Sequence, residues 1–153
     1  MMIRSEMDYR EALERLREDA DFGRQQRMAF VKAGLTAEEV ERAMQPTLSF
    51  HAQLEDEVRW YERVRRRDFG TIDRLNDIGR LLVALRIANG VTQRDLAARL
   101  GVSEAQVSRD ERNEYHNVTV ERAQRILDAL RESVTVGVAE PSLTREREVV
   151  GIR

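Results

Sequence analysis

Residues 1–70 carry apolar side chains at helical spacing, without the strict alternation that predicts a strand. Residues 5–21 predict one helix. A capping box at Thr36 and Glu39 predicts the start of a second, which we expect to end before Pro46. A longer helix is predicted over residues 49–67, with an apolar stripe of Phe50, Leu54, Val58, Tyr61 and Val64. The pattern favours an N-terminal helical hairpin or small bundle.

Two short helices joined by a tight turn are predicted between residues 92 and 113. Thr92 and Ser103 each stand where an N-cap is expected, and Gly101 follows the first helix where a left-handed residue commonly ends one. Ala97 and Val107 are expected to be buried where the two helices cross. A last helix is predicted over residues 119–131. Two crossed helices with the second presented outward are typical of proteins that read the major groove of DNA.

This segment resembles the lambda-repressor-like, Cro-type helix-turn-helix family, also called the xenobiotic-response-element family. The resemblance covers about residues 77–131 and is carried by Ile78, Gly79, Leu82, Leu85, Arg86, Gly90, Val91, Thr92, Gln93, Leu96, Ala97, Leu100, Gly101, Val102, Ser103, Val107, Ser108, Arg109 and Glu111. It implies a five-helix domain that binds duplex DNA, most often as a twofold dimer. Most members of the family act as repressors or as autoregulating antitoxins.

The residues expected to contact DNA lie on the second helix, at the start of the first, and in the loop beyond. Short side chains let the second helix approach base edges, while Arg109 and Arg112 can reach a guanine or a phosphate. Gln93 is expected at a phosphate, together with the free N–H groups of its helix end. Glu104 is either an acid favoured by the helix dipole or an acceptor for a cytosine amino group. The predicted contact residues are Gln93, Arg94, Ser103, Glu104, Ala105, Ser108, Arg109, Arg112, Asn113, Tyr115 and His116.

Three charged residues inside the motif call for a structural explanation. Asp110 stands where the family has an apolar or aromatic residue, so its carboxylate needs a partner, for which Arg74, Arg80 or Arg86 are candidates. The resemblance implies a semi-buried ion pair between Arg86 and Glu111 that ties two helices together. We favour that role for the pair over a contact with DNA.

Composition narrows the function classes. The chain has 153 residues, of which 41% are hydrophobic, enough for one ordinary domain or two small ones. It has no cysteine and only two histidines, so we expect no enzyme, no metal site and no cofactor. His51 and Glu55 could share a metal ion, although a solvated pair is favoured.

The net charge of −2 is unusual for a DNA-binding protein, so the distribution of arginines must matter more than their number. For the run of arginines at 65–67, a DNA-backbone contact and a solvated helix end are equally favoured. The sequence contains no apolar run long enough to span a bilayer and no signal peptide. We therefore expect a cytoplasmic protein without membrane contact.

The chain divides into three predicted parts. Residues 1–70 form a helical region for dimerisation or partner binding, residues 71–132 form the all-α DNA-binding domain, and residues 133–153 form a C-terminal extension. Alternating valines at 134, 136 and 138 predict a short strand in that extension, and residues 145–152 are expected to form either a second strand or a frayed tail.

The sequence favours a sequence-specific double-stranded DNA-binding transcriptional regulator, a repressor that works as a homodimer. Its dimer contact is expected outside the helix-turn-helix, at the stripe from Phe50 to Val64 or at the C-terminal valines. The alternative is an antitoxin of a toxin-antitoxin module, whose N-terminal helices bind a partner protein.

Overall fold

The computed structural model describes residues 3–138, and all the regular secondary structure of the described chain is helical. It contains six α-helices and a 3-10 turn at Leu75–Asp77; the helices are α1 (Glu6–Lys32), α2 (Ala37–Arg65), α3 (Ile78–Ala88), α4 (Gln93–Leu100), α5 (Glu104–Arg112) and α6 (Val120–Leu130). The predicted all-α fold is confirmed. Within residues 71–132 there are four α-helices, where the resemblance implies five.

The predicted strand at residues 134–138 is wrong. These residues form no strand, and the structure describes no second strand beside them that could supply backbone hydrogen bonds. Val134 packs against the core instead, while Val136 and Val138 are exposed. The second predicted strand, at residues 145–152, lies outside the described residues.

Helices α1 and α2 form an antiparallel hairpin longer than the sequence pattern predicts. Capping boxes at Ser5 and at Thr36 begin the two helices, and the second of these was predicted. The predicted helix end before Pro46 is wrong, because α2 runs through this residue without a break. Proline removes one backbone donor, but packing of α2 against α1 on both sides of it maintains the helix.

The hairpin joins the C-terminal helices through one shared core. Leu54, Val58, Tyr61 and Val64 of α2 are buried in the same cluster as the apolar residues of α3 to α6. The stripe predicted as a dimer contact is therefore covered within its own chain. Phe50 is the exception: it remains 47% exposed, with the Arg15 guanidinium 4.8 Å from its ring centroid.

The distal half of the hairpin, residues 17–53, is less well buried. Val40 and Met44 are its only buried side chains, in a segment that the structure describes throughout. Its exposed large apolar residues are Phe22, Met28, Val31, Leu48 and Phe50.

Among the helices that the structure describes, none combines the length and the apolar character needed to span a bilayer.

The turn between α4 and α5 has the predicted local geometry. Thr92 closes a capping box with Asp95, Gly101 has a φ of 68°, and the Ser103 side chain accepts from the N–H of Gln106. Ala97 and Val107 are 3% and 1% exposed, as expected for residues at a helix crossing. These local predictions are confirmed.

Gly79 marks the closest approach between α3 and the loop after α5. A Cβ at this position would lie 1.8 Å from the carbonyl oxygen of Glu114 and 3.0 Å from the Cβ of Tyr115. Backbone cannot move aside as a flexible side chain can, so this position requires glycine. By contrast, a Cβ on Gly23 in α1 would meet the Met44 Cε at 3.8 Å, an ordinary contact.

We expect Gly79→Ala and Gly23→Ala to change stability in opposite directions. Gly79→Ala forces α3 away from the loop and should lower the free energy of unfolding by about 1–3 kcal/mol or more. Gly23→Ala should raise it by about 0.5–1 kcal/mol, because alanine loses less backbone entropy in a helix. Urea unfolding followed by circular dichroism measures both; equal effects would contradict the close approach at Gly79.

Candidate nucleic-acid interface

Helix α5 presents one face to solvent. Ala105, Arg109 and Arg112 are exposed, and with 3.6 residues per turn they lie on the side opposite the buried Val107 and Glu111. Ser103 and Asn113 are exposed at its two ends, and His116 is exposed in the following loop. Ser108 is half-buried at the edge of the face. A methyl group in the first turn of this face and two guanidinium groups in its last turn allow close approach to a polyanion.

Arg94 and Glu104 link the exposed starts of α4 and α5. Arg94 Nε donates to Glu104 Oε2 at 3.2 Å, and the two side chains are 82% and 51% exposed. An ion pair this exposed contributes little stability. Arg94 can therefore exchange Glu104 for another anion at small cost.

Two predicted contact residues lie differently from expectation. Tyr115 is only 5% exposed and its ring belongs to the core, so a contact between DNA and this residue of the loop stays a prediction. Glu114 and Tyr115 both have a positive φ, and this left-handed turn directs the ring inward. Burial, followed by the nearby Glu111 carboxylate, raises the pKa of the Tyr115 phenol far above its ordinary value.

Gln93, the second of these residues, is half-buried, and its side-chain amide bonds within the protein. Its Nε2 donates to Glu111 Oε2 at 2.7 Å. An amide nitrogen carries two hydrogens, so a phosphate contact from the same group stays a prediction.

Arg86 and Glu111 form the expected ion pair, and it is fully buried. The side chains are 4% and 0% exposed, and two hydrogen bonds of 2.5 and 2.8 Å join the guanidinium to both carboxylate oxygens. Arg86 also donates to the carbonyl oxygens of Val91 at 2.8 Å and Arg4 at 2.9 Å. With Gln93 as a further donor to Glu111, this buried polar cluster connects the N-terminal segment, α3, α4 and α5.

Asp110 pairs with Arg122, and not with the predicted candidates Arg74, Arg80 or Arg86. Its carboxylate accepts from Arg122 of α6 and, at 2.8 Å, from Gln106 Nε2. Gln106 in turn accepts from Arg109 Nη2 at 2.9 Å. Asp110 is therefore satisfied, and the chain of bonds from α6 ends on an exposed arginine of α5.

Arg4 is a residue near α5 that the motif analysis missed. Its Nη1 donates to the carbonyl oxygen of Ser108 at 3.2 Å, across 104 positions of sequence. No local pattern connects the start of the chain to α5, so only the fold reveals this contact.

The comparison with protein families agrees with this geometry. Residues 82–136, about a third of the chain, match the family model described as a helix-turn-helix. No curated protein and no solved structure matches the chain. The segment is a helix-turn-helix domain of the lambda-repressor/Cro type. The chain is accordingly a DNA-binding transcriptional regulator.

Two of the arginines at 65–67 attach the hairpin to its surroundings. Arg67 Nη2 donates to Glu132 Oε1 at 2.7 Å, and its Nη1 donates to Asn89, so it joins the hairpin to the helix-turn-helix domain. Arg67 and Asn89 together hold the pKa of the Glu132 carboxyl below its ordinary value. Arg65 pairs with Glu6 of α1 at 2.5 Å. These bonds favour a structural role for Arg65 and Arg67.

His51 and Glu55, the two residues that could share a metal ion, face each other on α2. His51 Nε2 lies 3.7 Å from Glu55 Oε1.

The buried ion pair predicts strong coupling in a double-mutant cycle. We expect Glu111→Ala and Arg86→Ala each to lower the free energy of unfolding by about 3–5 kcal/mol, because each leaves a buried charge without its partner. The double variant should lose clearly less than the sum of the two. Chemical unfolding of the four proteins measures the coupling.

A cycle on the exposed pair Arg42 and Glu38 serves as the control. These side chains are 75% and 85% exposed, so their coupling should be close to zero. Additive losses at Arg86 and Glu111 would contradict the pairing described above.

Proposed function

We propose that this protein is a sequence-specific repressor that binds duplex DNA with the exposed face of α5. The observation that carries the proposal is the combination of Ala105, Arg109 and Arg112 on one exposed face of the second helix of the motif. A major groove about 12 Å wide admits one helix, and short residues beside arginines suit contact with base edges. Bound at an operator, such a protein represses by excluding other proteins from the site.

Arg109 is the side chain we assign to base readout. Its hydrogen bond to Gln106, which Asp110 and Arg122 hold in turn, restricts the guanidinium before DNA arrives. Less side-chain freedom is then lost on binding, and this favours specific recognition. Ser103, Glu104, Ala105, Ser108 and Arg112 complete the proposed groove contacts.

Phosphate contacts are assigned to the rim of the same surface. Arg94 is highly exposed in a weak pair, and Asn113 and His116 are exposed beyond α5. Gln93 is proposed to donate its second amide hydrogen to a phosphate while Glu111 holds the first. Phosphate contacts set the position of a protein on DNA, whereas base contacts supply specificity.

We further propose that the repressor is a homodimer joined through the distal half of the hairpin. A single recognition helix reads few base pairs, so useful specificity requires two half-sites about 34 Å apart or a multiple of this. The apolar residues left exposed on the hairpin, such as Phe22, Met28 and Val31, support contact there. A second hairpin would cover them in the manner of a four-helix bundle.

An antitoxin role is the second candidate, and the same exposed residues support it. A toxin partner could cover the distal half of the hairpin in place of a second copy. A small toxin-like reading frame next to the gene, with co-purification of its product, would favour the antitoxin.

Arg109→Ala should reduce sequence discrimination while leaving the fold intact. Sites selected from random duplex DNA first define the specific sequence and its symmetry. Against that site the variant should lose about 1–3 kcal/mol of binding free energy, while its affinity for a scrambled duplex changes much less. Arg59→Ala, which removes the same charge from a 65%-exposed site on α2 outside the distal half of the hairpin, is the matched control. An unchanged ratio of specific to scrambled affinity would remove Arg109 from base readout.

The free protein should have the mass of a dimer in light scattering at micromolar concentration. Met28→Glu places a charge on the 72%-exposed distal site and should shift the mass toward a monomer. Val120→Glu, at an 87%-exposed site on the helix-turn-helix domain, should leave the dimer intact. A monomeric wild-type protein, both free and on DNA, would end the dimer proposal.

A further inference from the structure

The first described residues of the chain form an ordered segment against the helix-turn-helix domain. Ile3 is fully buried in the shared core, although it lies only three positions before the start of α1. The backbone N–H of Arg4 donates to Asp8 Oδ2 at 3.0 Å, and Asp8 also closes the capping box with Ser5. The backbone of Arg4 is therefore held between the buried Ile3 and the capping residue Ser5.

Arg4 bonds to α5 by two separate routes. Its carbonyl oxygen accepts from Arg86 Nη2 at 2.9 Å, and Arg86 is paired with Glu111 of α5. Its guanidinium donates directly to the carbonyl oxygen of Ser108, in the middle of α5. The first route uses only the backbone of Arg4, and the second uses only its side chain. A substitution of Arg4 can therefore remove the bond to Ser108 and keep the bond from Arg86.

The position of Ser108 gives the side-chain contact its significance. Ser108 lies at the edge of the exposed face of α5, next to Arg109 and four positions before Arg112. On the opposite edge, Arg122 holds Asp110. Helix α5 is thus held on one side by α6 and on the other by the N-terminal segment.

We propose that Arg4 is a positioning residue for DNA recognition: its bond to Ser108 fixes the placement of α5, so the N-terminal segment is part of the DNA-reading unit. This proposal rests on the proposed function. A recognition surface must keep its side chains within about 0.5 Å of the productive geometry. A helix supported on one side only does not guarantee this precision. Loss of the bond should therefore weaken specific binding while leaving general attraction to DNA unchanged.

The test compares Arg4→Ala, Arg4→Lys and Arg4→Met with Arg10→Ala, in the full chain. Arg10 is 76% exposed on α1 and pairs with Glu6, so its removal costs the same charge without touching α5. Affinity for the selected duplex and for a scrambled duplex is measured by fluorescence anisotropy at several salt concentrations. Melting temperatures are measured in parallel, and Arg4→Met retains the apolar stem of the side chain if Arg4→Ala proves unstable.

We expect Arg4→Ala and Arg4→Met to bind the selected duplex about tenfold more weakly, the typical effect of losing a hydrogen bond from a charged donor. Their affinity for the scrambled duplex should match that of Arg10→Ala, with the same salt dependence. Arg4→Lys should recover part of the specific affinity, because an ammonium group can still donate to the Ser108 carbonyl. Partial rescue at constant melting temperature is a result that a general loss of stability would not give.

Two results would overturn the proposal. Unchanged specific affinity would show that the bond to Ser108 does not position α5. Equal losses on both duplexes, with a salt slope reduced by about 0.9 relative to Arg10→Ala, would identify a direct phosphate contact instead.

Hydrogen exchange on the free protein separates this proposal from the proposed function. Arg4→Ala should accelerate amide exchange in α5 relative to α6, whether or not the wild-type protein selects a DNA sequence. Unchanged exchange in α5 would refute the positioning role on its own. Failure of the wild-type protein to prefer any duplex would refute only the proposed function.

Discussion

The structure depends most on the buried ion pair between Arg86 and Glu111. Removing two charges from water costs several kcal/mol per ion, and this cost is offset only when nearly every donor and acceptor is satisfied. Here the partners are the carbonyl oxygens of Val91 and Arg4 and the side chain of Gln93. They come from separate segments of the chain, so the pair can be buried only when all of those segments are in place.

The same requirement explains how an acidic residue is tolerated at position 110. An apolar side chain there would pack without constraining its neighbours, whereas the Asp110 carboxylate holds Gln106 and Arg122 at defined positions. Recognition by few side chains depends on geometry more than on net attraction. A protein with a net charge of −2 that binds DNA therefore benefits from a recognition surface fixed in advance.

Features set by neighbours in sequence were predictable, and those set by distant residues were not. The caps at Thr92 and Ser103 and the left-handed Gly101 follow from adjacent residues, and the pairing of Arg86 with Glu111 came from the resemblance. The continuation of α2 through Pro46 depends on its packing against α1. The inward position of Tyr115 depends on a left-handed turn that no neighbouring glycine signals. The partners of Asp110 and Arg4 lie on other elements, so neither periodicity nor spacing could identify them.

The contact between Arg4 and Ser108 also has a consequence for the order of folding. It joins residues 104 positions apart, so the segment around Arg4 must wait for α5 to be made before it can pack fully. The contacts between α1 and α2 need only residues 6–65, so the hairpin can form early. Helix α5, the proposed recognition helix, becomes fully supported only after α6 has also been made, so a chain that ends before α6 would not compete with the folded protein for DNA.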